Sequence, residues 1–187
     1  MKYAIIFNEF ESSSEFLPQK GQYRKQLKTL EKQGLQIAKY SINDPESEIP
    51  SIISEFQNKS LGFIWIRMHG SAQCMDASKK GKITSENIKT TFEDLPKKLT
   101  TDAIIFLDSC STGSLKNDFW NNIQFSFAKL TIDLGQVQII APSTNLAKYY
   151  FEFYEQGFIC SMSASPNGSR DIALKLGYGT KERLKLL

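Results

Sequence analysis

The feature that most constrains this chain is a regular alternation of short apolar runs with longer amphipathic segments. "YAIIF" (residues 3–7) and "GFIWIRM" (residues 62–68) are almost continuously apolar, as expected of strands that are covered on both faces. Between them, "QYRKQLKTLEKQG" repeats apolar residues at helical spacing and ends at Gly34, a residue type common after helix C-termini. This alternation predicts an α/β fold with a mainly parallel sheet.

The sequence predicts a single domain, residues 1–187, built as a three-layer α/β/α sandwich around five or six mainly parallel strands with right-handed crossovers. Strands are predicted at residues 3–7, 35–42, 62–68, 102–109, 137–143 and 157–165. Helices are predicted at residues 22–34, 45–59, 85–99, 117–130 and 169–179. The polar stretch 71–83 is predicted to be a loop, and Ser85 is predicted to cap the helix that follows it.

Charge and cysteine content narrow the classes of function. The formal net charge is +3 with both signs interspersed, so no basic block indicates a nucleic-acid or membrane partner. No apolar run of about 18 residues predicts a transmembrane helix, and the first residues lack the pattern of a signal peptide. Three cysteines without a CxxC pattern favour a reducing, cytoplasmic location and no zinc site. No cofactor is expected.

Two reactive side chains stand directly after predicted strands. His69, the single histidine, follows the strand "GFIWIRM", and Cys110 follows the strand "DAIIFLDS" 41 residues later. The carboxyl ends of parallel strands lie at one edge of the sheet, where α/β proteins bind their ligands. We therefore expect an imidazole to act as the base for a thiol nucleophile. The backbone N–H groups of Gly70 and Cys110 are candidates for an oxyanion hole.

The two motifs, His-Gly and "DSCSTG", occur in the order and at the spacing of the caspase-like cysteine peptidases. Over about residues 2–162 the chain resembles this group, which includes caspases, metacaspases, paracaspases and, more distantly, legumains. The cysteine motif is most similar to the metacaspase and legumain form. The resemblance implies a caspase-haemoglobinase-like fold and cleavage of protein or peptide substrates by a catalytic pair, His69 and Cys110.

The resemblance also implies a substrate pocket, in which this chain departs from caspases. Asp108 takes the place of the caspase pocket glutamine, and Ser143 lies where the family lines its pocket. Glu9, after the first strand, is a candidate second pocket acid. The two positions at which caspases carry arginines that bind aspartate hold Gln19 and Phe153. Cleavage after Arg or Lys is therefore favoured, with Asn as a weaker alternative.

Other interpretations remain open at this level. His69 and Cys110 are each compatible with a structural role, Asp108 with capping of the next turn, and Glu9 with a solvated loop. The whole chain is compatible with a catalytically inactive caspase-like interaction module or with a flavodoxin-like or receiver-like signalling domain. An isopeptide or ester bond is an alternative target of the cysteine. A homodimer is also left open.

Overall fold

The computed structural model describes residues 1–9, 20–77, 81–110, 112–113, 122–142, 146–154, 157–164, 170–172 and 174–176, with side chains for 1–9, 23–77, 81–110, 112–113 and 122–142. The strands are β1 (Lys2–Glu9), β2 (Leu35–Ile42), β3 (Leu61–Arg67), β4 (His69–Gly70), β5 (Cys74–Asp76), β6 (Lys82–Thr84), β7 (Leu99–Asp108), β8 (Gln138–Ala141), β9 (Leu146–Tyr154), β10 (Gly157–Ala164), β11 (Arg170–Ile172) and β12 (Leu174–Leu176). The α-helices are α1 (Lys20–Lys32), α2 (Pro45–Ser54), α3 (Ile88–Thr91), α4 (Leu95–Lys98) and α5 (Ile123–Leu130).

A six-stranded sheet forms the centre of the protein, in the order β12-β8-β7-β3-β1-β2. The five strands from β8 to β2 run parallel to one another. The sixth, β12, is antiparallel to β8 at one edge. The predicted α/β class with a mainly parallel sheet is therefore confirmed.

Helices cover both faces of this sheet. On one face, α1 packs its leucines against alternate side chains of the central strands, and the buried members of this cluster are Ala4, Ile6, Leu27, Leu30, Phe63, Trp65, Ile104, Phe106 and Ile140. On the other face, α2, α3 and α5 pack over the intervening side chains of the same strands, such as Ile64, Ile66 and Leu107. Each large apolar side chain buried in this way contributes about 1.5–3 kcal/mol. The three-layer arrangement follows the two-sided apolar character of the strands.

The ends of the helices follow the local sequence. Gly34, just beyond α1, has a φ of 76°, which a glycine adopts without steric cost. Asn122 precedes α5, and its side chain accepts a hydrogen bond from the Phe125 N–H at 3.1 Å, as an N-cap does. Among the described residues, no helix combines the length and the apolar character that crossing a bilayer requires.

The prediction of a loop at residues 71–83 was wrong for residues 74–76 and 82–83, which form strands. Two hairpin connections build a small antiparallel sheet, β4-β5-β6, from this part of the chain. Met75 and Ile83, which pair across β5 and β6, are fully buried, so their apolar side chains hold the segment to the core. Short strands of two or three residues leave too little alternation for a sequence pattern to reveal.

Two of the predicted helices also differ from the structure. Residues 85–99 form only the single turns α3 and α4, because Pro96 lacks the N–H that a continuous helix would need there and instead lies in the first turn of α4, where proline is tolerated. Ser85 lies outside both turns, and Asn87 occupies the N-cap position of α3. Where a helix was predicted at residues 169–179, the structure has the short strands β11 and β12.

The predicted sixth strand at residues 157–165 corresponds to β10. This strand does not join the central sheet but pairs with β9 and β11 in a separate antiparallel sheet.

Candidate active site at the carboxyl edge of the sheet

The strands that precede the two reactive residues are neighbours and end at the same level. Arg67, the last residue of β3, is in register with Asp108, the last residue of β7. The Met68 N–H donates to the Asp108 carbonyl at 3.3 Å, which continues the pairing one residue further. His69 and Cys110 therefore each follow by two residues a pair that is matched across the sheet.

Gly70 and Ser109 are in direct contact beyond the ends of these strands. A methyl group on the Gly70 Cα would overlap the Ser109 Oγ and would lie 2.7 Å from the Cys74 carbonyl oxygen. A glycine is thus required for the histidine segment and the cysteine turn to approach this closely. Each of these two residues is the chain neighbour of a predicted catalytic residue, His69 or Cys110.

The backbone of the hairpin sets the direction of the Gly70 N–H. The Ser71 N–H donates to the Cys74 carbonyl at 2.8 Å, so residues 71 and 74 form a hydrogen-bonded pair. The next pair along the hairpin, Gly70 and Met75, is then of the non-hydrogen-bonded type. The Gly70 N–H consequently points away from β5, as an oxyanion donor must.

A carboxylate from β1 contacts the histidine segment. Glu9, the last residue of β1, accepts a hydrogen bond at its Oε2 from the backbone N–H of His69, at 3.0 Å. The contact joins the end of β1 to the residue that follows β3, its neighbour in the sheet. Glu9 thus contacts the protein's own backbone, and its predicted role as a pocket acid stays a prediction.

The turn that carries Cys110 is anchored to α5 and β8. The Thr112 hydroxyl donates to the Ser109 carbonyl at 3.0 Å, and the Gly113 N–H donates to the Pro142 carbonyl at 2.8 Å. The Gln124 N–H, in the first turn of α5, reaches the Thr112 carbonyl at 3.4 Å. Cys110 itself is partly buried and is a free thiol. The turn is therefore held on both sides while its cysteine keeps some exposure.

A buried ion pair lies at the last residues of β3 and β7. The Arg67 Nε donates to the Asp108 Oδ2 at 3.0 Å, and the Trp65 indole N–H donates to the same oxygen at 3.0 Å. The Arg67 guanidinium stacks over Tyr23, 4.1 Å from the ring centroid, and its Nη1 donates to Asn8. Burial raises the pKa of the Tyr23 phenol, while the charge of Arg67 acts to lower it. The Asp108 carboxylate is therefore balanced by an internal cation.

The structure places the remaining predicted residues as follows. Asp108 is 3% exposed and pairs with Arg67, so its predicted contact with a cationic substrate side chain stays a prediction. Ser143 lies outside the described residues. Sequence reasoning missed Arg67, although a charged residue inside the apolar run "GFIWIRM" was a signal for a buried partner. Within the part of the chain that the structure describes, no group of three His, Cys, Asp or Glu side chains is arranged to hold a metal ion.

Ser109 is expected to tolerate the loss of its hydroxyl. Its Oγ is buried and, among the described residues, has no hydrogen-bond partner. Ser109→Ala is therefore expected to leave the free energy of unfolding unchanged or to raise it by up to about 1 kcal/mol. Ser60→Ala is the matched control because Ser60 is also a buried residue but its hydroxyl donates to the Gln57 carbonyl at 2.7 Å. Urea unfolding should show that the free energy of unfolding falls by about 1 kcal/mol for Ser60→Ala only. Equal losses in the two variants would show that the Ser109 hydroxyl also makes a stabilising hydrogen bond.

Comparison with known proteins found similarity to a solved structure but no match to a protein-family model or a curated sequence. The structure is similar to the crystal structure of caspase-1 from Spodoptera frugiperda, with a TM-score of 0.45 and 18% sequence identity. The alignment covers 79% of this chain and 63% of that one, so the chain spans less than two thirds of the length of that caspase.

Proposed function

We propose that this protein is a cysteine endopeptidase that hydrolyses peptide bonds in protein or peptide substrates with a dyad of Cys110 and His69. The observation that carries the proposal is the contact between Gly70 and Ser109, which are the chain neighbours of the two reactive residues. A thiol and an imidazole at adjacent strand ends are the groups that nucleophilic acyl transfer requires. The direction of the Gly70 N–H adds the donor for the oxyanion.

In the proposed reaction, the Cys110 thiolate attacks the carbonyl carbon of the scissile bond, and a carbon–sulfur bond forms as the carbonyl electrons move to oxygen. The N–H groups of Gly70 and Cys110 donate to that oxyanion. The His69 imidazolium gives its proton to the leaving nitrogen as the carbon–nitrogen bond breaks. A water molecule then loses a proton to His69 and attacks the thioester, and the carbon–sulfur bond breaks to restore the thiolate.

The proposed cleavage position follows an Arg or Lys residue, and this preference rests on Asp108. The Asp108 Oδ2 already accepts hydrogen bonds from Arg67 and Trp65, so a substrate cation has to share this carboxylate. The Arg67–Asp108 pair as a whole is formally neutral. A preference for Asn at the cleavage position would be consistent with recognition by this neutral pair. A preference for Asp or Glu would indicate that Arg67, and not Asp108, binds the substrate side chain.

A fluorogenic peptide panel with Arg, Lys, Asn or Asp at the cleavage position tests this function. The wild type is expected to hydrolyse the Arg and Lys peptides, and Cys110→Ala and His69→Ala are expected to be inactive because the nucleophile or its base is absent. Cys74→Ala is the matched control, since Cys74 is the other free thiol among the described side chains. Loss of activity in Cys74→Ala but not in Cys110→Ala would contradict the assignment, as would the absence of all turnover.

The order of the parallel strands supports a second candidate. The parallel strands follow the order of flavodoxin-like and receiver-like domains, here β2, β1, β3, β7 and β8. In those domains the ligand binds at the strand ends where the first and third strands in chain order, here β1 and β3, lie side by side. In this protein the Glu9 carboxylate lies at that position and contacts His69. A carboxylate repels the phosphate of a nucleotide ligand. Binding of flavin mononucleotide by the purified protein, without labelling of Cys110 by an electrophilic probe, would favour this candidate.

A further inference from the structure

We propose that Glu9 is a positioning residue for His69, which holds the histidine segment in place through the backbone N–H of His69. This inference rests on the proposed function and gives Glu9 a role other than that of a pocket acid. It starts from the hydrogen bond between the Glu9 Oε2 and the His69 N–H at 3.0 Å. A hydrogen bond to an ionised acceptor is about twice as strong as a neutral one.

The position of His69 in the fold explains why such a contact is needed. His69 follows β3 after a single residue, Met68, and belongs to β4, which has only two residues. A strand of this length gives little pairing energy of its own, so its direction depends on further contacts. Glu9 supplies one from the neighbouring strand β1, because β1 pairs with β3 up to Asn8 and Arg67. The placement of the His69 backbone thereby depends on a residue 60 positions earlier in the chain.

The position of His69 affects the first chemical step. The His69 imidazolium donates its proton to the leaving nitrogen, and this transfer requires the imidazole to lie within hydrogen-bond reach of that atom. A misplacement of about 1 Å costs about 100-fold in rate. Glu9 therefore acts on kcat through the placement of His69.

A second carboxylate of the hairpin offers a matched control. Asp76, on β5, is directly opposite His69, so the two side chains share one face of the hairpin. The Asp76 Oδ1 is paired with the Lys82 Nζ, on β6, at 3.1 Å. Asp76 is thus a carboxylate at the same register position as His69 that already has a cationic partner.

The test grades the strength of this hydrogen bond with two substitutions. Glu9→Gln keeps an oxygen that accepts from the His69 N–H but is a neutral and weaker acceptor, whereas Glu9→Ala removes the acceptor. We expect kcat to fall about 10-fold in Glu9→Gln and about 100-fold in Glu9→Ala, with KM changed less than about 2-fold. Asp76→Asn, the control, is expected to lower kcat by less than about 3-fold because Lys82 already balances Asp76.

A direct measurement on His69 makes the test independent of turnover. His69 is the single histidine, so the backbone amide resonance of protein labelled with ¹⁵N-histidine reports on this residue alone. Glu9→Ala is expected to shift the His69 amide resonance and to speed its exchange with solvent, because the N–H loses its acceptor, and Asp76→Asn is expected to change both less. An unchanged resonance and exchange rate in Glu9→Ala, or a larger effect of Asp76→Asn, would overturn the proposal. A wild type without peptidase activity whose resonances respond as expected would overturn the proposed function and leave the role of Glu9 supported.

Discussion

Asp108→Ala is expected to lower the free energy of unfolding by about 3–5 kcal/mol, because it removes the carboxylate that balances the buried charge of Arg67. The side chains of Arg67 and Asp108 are 10% and 3% exposed, so water cannot replace the lost partner. The Trp65 indole N–H loses its acceptor in the same variant. Since small domains are stable by about 5–15 kcal/mol, a large part of the total would be lost. Urea unfolding followed by Trp fluorescence measures the change.

Asp102→Ala provides the matched control for this prediction. Asp102 pairs with Lys2 at 3.2 Å, but both side chains are more than half exposed, at 63% and 53%. Its loss is expected to cost no more than about 1 kcal/mol. The double variant Arg67→Met/Asp108→Asn removes both charges and is expected to be more stable than Asp108→Ala. Similar losses in Asp108→Ala and Asp102→Ala would show that burial of the Arg67–Asp108 pair has no energetic weight.

Gly70→Ala is expected to abolish peptidase activity and to destabilise the protein by about 1–3 kcal/mol. The added methyl group would overlap the Ser109 Oγ and would crowd the Cys74 carbonyl oxygen. The histidine segment and the cysteine turn would then have to move apart, and a misplacement of about 1 Å costs about 100-fold in rate. Activity on the peptide panel and urea unfolding measure the two effects.

Two further variants identify which contact of the added methyl group causes the losses of stability and activity in Gly70→Ala. Gly70→Ala/Ser109→Gly relieves the overlap with the hydroxyl but keeps the contact with the Cys74 carbonyl, which lies 2.7 Å from the added carbon. This double variant is expected to recover part of the stability that Gly70→Ala loses and a smaller part of the peptidase activity. Gly62→Ala, within β3, is the control, because its methyl group would meet the flexible end of the Leu35 side chain, at 3.2 Å, and the Lys2 side chain at the ordinary contact distance of 3.7 Å. A Gly70→Ala variant as active as Gly62→Ala would contradict the close approach.

The sequence carried enough information to predict the sheet but not the contacts around His69. The apolar runs of β3 and β7 are buried on both faces, and such strands are recognisable without any knowledge of their neighbours. The Arg67–Asp108 pair was also within reach of the sequence. Each residue precedes one of the two motif residues by two positions, so adjacent parallel strands bring them into register. A charge inside an apolar run needs a neutralising partner, and Asp108 is the acid that the register of the two strands brings next to Arg67.

The histidine hairpin and the contact of Glu9 were beyond sequence reasoning for a different reason. The strands β4, β5 and β6 have two or three residues each, too few for a period to be measured, and their pairing depends on Met75 and Ile83 reaching the core. The Glu9 contact joins residues from different strands and depends on where β1 ends. Long-range contacts of single side chains have no signature in one sequence, whereas long apolar strands do.

The tip of the histidine hairpin is also tied to α5. The Ala72 carbonyl accepts a hydrogen bond from the Ile123 N–H at 2.9 Å, and the following residue of α5, Gln124, contacts the cysteine turn through the Thr112 carbonyl. One end of a single helix thus bears on both halves of the candidate site. A fluctuation that frees the hairpin must also break its hydrogen bond to the N-terminus of α5, so the two motifs are expected to open together as one cooperative unit. Their alignment is consequently a property of this shared anchor as well as of the strands that carry them.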